Sequence, residues 1–177
     1  MTTYTLTPQE REAAQENFHG RNRADELMQN TGGGVSASRL HAYAQGILTG
    51  DAQDIETALD KDAALCAAYR TMVRDAALFV LPEAMAASSD ALPVRETRGC
   101  KLSLKPSRAE ETQLYLIVEL GDTTKGEPST LAVCGADNRT HQIALPPSRG
   151  GIIQVIVERD SDIVRLLRDP KSEAYLR

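Results

Sequence analysis

Ile55, Leu59, Cys66, Tyr69, Val73, Ala76 and Val80 recur at alternating spacings of four and three, with Asp62 on the same line. That is the repeat of one helix face. Leu65, Met72 and Phe79 widen the face beyond what one neighbouring helix covers. A broad stripe of this kind serves as an ordinary core face or as an exposed groove for a partner, and the pattern alone leaves both open. Asp62, within Asp60-Lys61-Asp62, also fits the N-cap of a separate helix from Ala63. Pro82 stops or kinks whatever precedes it.

Upstream, Thr7-Pro8-Gln9-Glu10 joins a capping hydroxyl, a first-turn proline and a glutamate three residues after the cap, predicting a helix over 8–29. Its apolar face is thin: Ala13, Ala14, Phe18, Leu27 and Met28. Gly32-Gly33-Gly34 breaks the chain as a flexible linker. A phosphate-cradling loop would need a preceding strand and a following Gly-Lys-Ser/Thr, and neither is there. Ser36 or Ser38 then caps a helix running to about Leu48.

Past a linker over 86–98, rich in Ser, Asp and Pro, the period changes from helical to strand-like. Short β-branched and apolar runs at 100–104, 113–120, 130–134, 140–145 and 152–158 alternate with Gly, Pro, Asn and Asp turns. The run at 163–167 fits a strand, or a short helix capped from Asp160-Ser161-Asp162. The predicted fold is α+β: a helical domain of three to four helices over 1–85, then an antiparallel β-sandwich over 99–177.

Charge sharpens the division. Residues 1–90 carry 7 Lys+Arg and 13 Asp+Glu of the chain's 20 and 25, so the net charge of -5 resides in the first half. An acidic helical surface repels nucleic acid and attracts basic proteins. Aromatic residues are only 4% with no Trp, which argues against a stacking platform for sugars, Tyr115 and Tyr175 notwithstanding. Cys66, Cys100 and Cys134 are odd in number and form no Cys-x-x-Cys pair, so a reducing compartment fits them. With no secretory leader in the first ten residues and no long apolar run, the expectation is a soluble, cytoplasmic chain away from membranes.

Candidate chemistry is sparse. His19, His41 and His141 sit on separate elements without an acidic or cysteine partner at a diagnostic spacing, and no nucleophile-elbow, zinc-protease or Walker sequence occurs. The expectation is a protein that is not an enzyme and needs no cofactor or metal. Asn138-Arg139-Thr140 reads as a β-turn. Arg95, Arg98, Lys101, Lys105 and Arg108 form a modest basic cluster that reads as solvated surface.

Leu40, Tyr43, Gly46 and Leu48, followed by Leu59 and Tyr69, resemble the anti-sigma domain of bacterial transcription regulators over about thirty residues. That family writes Leu-x-x-Tyr-x-x-Gly-x-Leu and later His-Leu-x-x-Cys-x-x-Cys, whose His and Cys bind zinc in many members. Here Ala58, Asp62 and Leu65 stand at those ligand positions, so the resemblance is to the zinc-free variety. It implies a regulator whose helices pack between the promoter-reading domains of an extracytoplasmic-function sigma factor and block its access to polymerase. The partner-binding candidates are Leu40, Tyr43, Leu48, Ile55, Leu59, Tyr69, Met72, Val73 and Phe79. The alternative is a non-catalytic ligand-binding or adaptor protein, a β-sandwich carrying a helical oligomerisation arm.

Overall fold

A computed structural model describes residues 35–47, 50, 52–81, 92–121 and 126–177. The helix expected over 8–29, the triple glycine and Leu48 lie outside these residues. The elements run α1 (Ala37–Ala44), α2 (Ala52–Lys61), α3 (Ala63–Ala76), β1 (Phe79–Leu81), β2 (Val94–Thr97), β3 (Cys100–Pro106), β4 (Gln113–Leu120), β5 (Thr130–Cys134), β6 (Thr140–Ala144), β7 (Ile152–Glu158), α4 (Asp162–Arg168) and β8 (Glu173–Leu176). The protein is α+β, and among the described residues three helices precede two antiparallel four-stranded sheets, ordered β1-β8-β5-β6 and β2-β3-β4-β7.

Side-chain alternation along β5 explains the layering. Leu131 and Val133 join a cluster with Leu102, Leu116 and Val118 of the other sheet, while Ala132 and Cys134 join Leu40, Leu59 and Tyr69 of the helices. The first sheet is therefore covered on both faces, which is why every residue of β5 is buried. The second sheet covers one side and the helices the other.

Local chemistry sets the helix ends. Ser36 Oγ accepts a hydrogen bond from the Arg39 amide at 3.3 Å, capping α1. That helix ends at Ala44, short of the expected Leu48, because Gly46 turns left-handed at φ 80°. A β-carbon there would sit 2.7 Å from Thr130 Oγ1, so only glycine fits the close approach of this turn to β5. The long stripe divides at Asp62, whose carboxylate accepts from the Ala64 and Leu65 amides at 2.9 and 3.0 Å.

Three strands fall where none was expected. The stripe's last members, Phe79 and Val80, belong to β1, which pairs with β8 rather than continuing α3. β8 itself was not anticipated in the sequence. The expected linker over 86–98 contains β2, paired with Cys100–Ser103 across a tight hairpin. The expected border at residue 85 is thus crossed by strand pairing and by the cluster that the helices share with β5 and β8. Arg95 leaves the expected basic surface cluster too: it is 1% exposed. Its guanidinium donates to the Leu167 and Asp169 carbonyls at 3.1 Å and to Ser172 Oγ at 2.6 Å, closing the end of α4. The 163–167 run is helix, not strand.

Candidate functional site

The partner-binding candidates divide by burial. Leu40, Tyr43, Ile55, Leu59, Tyr69, Val73 and Phe79 are all no more than 2% exposed. Met72 is half-buried against the same helical cluster. These side chains are core in this fold, not an apolar groove. The physical reason is that the first sheet offers the stripe a face to cover, which the stripe's own periodicity does not reveal.

What the stripe brings together instead is a polar network at its edge. Tyr43 and Tyr69 stack with ring centroids 5.6 Å apart and an interplanar angle of 26°. Gln142 of β6 donates from Nε2 to the Tyr43 carbonyl at 3.0 Å and also to the Tyr69 hydroxyl. Arg177 donates to Gln142 Oε1 at 2.5 Å and to the Tyr43 carbonyl at 3.3 Å. Burial pushes both tyrosine hydroxyls well above their ordinary range, so both stay protonated, Tyr43 donating to Glu56 and Tyr69 accepting from Gln142. The same burial lowers Arg177 from its usual value.

The network reaches the surface through Glu56. Tyr43 Oη donates to Glu56 Oε1 at 2.6 Å, and His141 Nδ1 lies 3.1 and 3.2 Å from the two carboxylate oxygens. The hydrogen bond to Glu56 raises the His141 pKa above its ordinary value, against the opposing effect of burial. No diagnostic sequence spacing marks this pair, in agreement with the sequence reading. His141 has an acidic partner, but 85 residues away in the chain, a separation with no local signature.

Around this pair opens a cleft of about 190 Å³. One wall is the outer side of α2, with Gln53, Thr57 and Asp60. The floor and rim are Arg139, Thr140 and His141, and the far wall is Asp162 and Leu166 of α4. Glu56, Asp60 and Asp162 thus approach one opening from two helices. Arg139 is bound to Asp137 at 2.6 Å and is held above its usual pKa first by that bond, with Asp60 and Asp162 adding to the effect. No family model, curated protein or solved structure matches this chain.

The cleft holds no reactive thiol. Cys66, Cys100 and Cys134 are buried free cysteines, and burial pushes Cys100 up to about 11 and Cys134 up to about 12. At the zinc-ligand positions of the resembled family, Asp62 caps α3 and Leu65 is core. Among the described residues no group of three His, Cys, Asp or Glu side chains is placed to hold a metal. No described helix is long and apolar enough to cross a membrane.

Proposed function

We propose that this chain is a non-catalytic regulator that binds a basic protein partner, of the anti-sigma kind that its helices resemble. The observation that carries the reading is the convergence of Glu56, Asp60 and Asp162 on one cleft, where among the described lining residues the basic groups are Arg139, already paired with Asp137, and His141, bonded to Glu56. Charge complementarity of this kind steers encounter and selects partners. In this proposal the apolar stripe does not touch the partner. Leu40, Tyr43, Ile55, Leu59, Tyr69, Val73 and Phe79 build the platform, and the polar outer side of α2 and the start of α4 make the contact.

A small-molecule binding role is less well supported by the dimensions of the cleft. At about 190 Å³ it is smaller than the roughly 300–1,000 Å³ of pockets that enclose drug-sized ligands. The test is co-expression of the chain with each extracytoplasmic-function sigma factor of its own cell, followed by size-exclusion chromatography. Co-elution with one of them supports the proposal. A folded chain that co-elutes with none ends the sigma-factor reading.

A further inference from the structure

We infer that β7 is a pairing edge for a second copy of this chain, the two β7 strands joining antiparallel about a two-fold axis. No residue of this edge lines the α2–α4 cleft, so the pairing stands apart from the partner-binding proposal. Four strands end the two sheets, β1 and β6 on one, β2 and β7 on the other. Three of them carry protection against further pairing. β1 has three residues and is followed by Pro82; β2 has four, follows Pro93 and carries Arg95 and Glu96; β6 packs against α2 and α4 and precedes Pro146-Pro147. β7 has none of this. Its seven residues begin with six uncharged ones, Ile-Ile-Gln-Val-Ile-Val, and Ile152 and Ile156 are 49% and 57% exposed.

Hydrogen bonding along β7 shows which groups are open. On its β4 side the Arg159 N–H donates to the Thr112 carbonyl and the Leu120 N–H to the Gly151 carbonyl, so the odd-numbered residues face β4. The even-numbered ones face away. Ile152 is closed on that side by Arg149, with bonds of 2.8 and 3.2 Å across the Gly150-Gly151 turn, and the Glu158 carbonyl accepts from Ser161. Between these ends Gln154 and Ile156 present N–H and C=O groups that no strand or loop among the described residues meets.

The edge is its own complement. Setting Gln154 opposite the second copy's Ile156 puts Val155 on the two-fold axis and satisfies every one of these open groups in an isologous contact. Arg149 stands beside Ile152 at one end of the edge and Glu158 lies at the other, and neither has an ion-pair partner among the described residues. Antiparallel pairing brings each Arg149 to the second copy's Glu158. The same register sets Ile156 diagonal to the second copy's Ile152 and Ile156, covering apolar surface that the single chain exposes. A foreign strand would need an acid and a base at matching ends, whereas a copy of β7 supplies them by symmetry.

The test is sedimentation velocity on the full chain over a concentration series reaching the millimolar range, with amide hydrogen exchange at the lowest and highest concentrations. A species of twice the 19.2 kDa chain mass should grow with concentration, and exchange at Gln154 and Ile156 should slow with it. Ile156→Pro removes an N–H that faces away from β4, so it spares the sheet of the single chain and should weaken association about tenfold or more. Arg149→Glu, on an exposed side chain, should weaken it several-fold, most at low salt, and adding Glu158→Arg should restore it. A chain that stays monomeric throughout overturns the inference. So does a dimer that survives Ile156→Pro, ignores Arg149→Glu, or leaves Gln154 and Ile156 exchanging as fast as in the monomer.

Discussion

Glu56 joins the helices to the sheet through two unlike groups, a buried phenol and a half-exposed imidazole. Removing the phenol's oxygen with Tyr43→Phe leaves the ring stacked but deletes a bond to a carboxylate. The expected loss is about 2 kcal/mol in urea unfolding, typical of a hydrogen bond to a charged group. His141 contributes in a pH-dependent way. Its folded pKa lies above the unfolded value of 6.5, so its stabilisation is complete below that value and disappears as pH rises through the folded one. The urea midpoint should therefore fall as pH is raised from 6.5, and His141→Gln should flatten the fall. Because the His141 side chain is 30% exposed, the effect is expected to stay below about 1 kcal/mol. A wild-type profile parallel to that of the variant would dissociate His141 from Glu56 in solution.

At the scale of elements, two positions decide where segments stop. Gly46→Ala forces a left-handed backbone on alanine and drives its β-carbon against Thr130. It should cost about 2 kcal/mol, measured by thermal melts, chiefly through the backbone term. Arg95→Met strips the carbonyls after α4 of their donor inside the core. A loss of about 3 kcal/mol is expected, and a near-neutral result would mean that water replaces the guanidinium.

The elements that could be read in the sequence are those whose burial follows one period. Asp62 announced the start of α3, Gly and Asn turns set off β3 to β7, and the α+β order followed. The elements that could not be read break the rule at a particular residue. β2 hides behind Arg95, a charged residue at an inward position, because its compensation comes from carbonyls some 70 residues away. β1 hides because Phe79 and Val80 continue the helical spacing, and only pairing with β8 makes them strand. Of the cleft, its carboxylates on α2 share a polar face at 56 and 60, but Asp162 and His141 arrive by tertiary folding alone.

For the whole molecule, the shared cluster of helices, β5 and β8 implies a single cooperative unit. With no Trp in the chain, tyrosine fluorescence reports mainly on Tyr43, Tyr69 and Tyr175, all buried in that cluster. Urea transitions followed by tyrosine fluorescence and by far-ultraviolet circular dichroism should coincide. Two separated transitions would restore independent helical and β units.

The central claim is that the molecule meets its partner through charge at the α2–α4 cleft while its apolar stripe stays inside. The most direct measurement is co-elution of a sigma-factor partner with two variants, each first shown to melt like the unmodified chain. Asp60→Lys with Asp162→Lys reverses the cleft and should abolish co-elution, with added salt weakening the unmodified complex in the same direction. Met72→Ala, a half-buried member of the stripe, should leave co-elution intact. Binding that survives the charge reversal, or that is lost with Met72→Ala in a folded chain, would contradict the account.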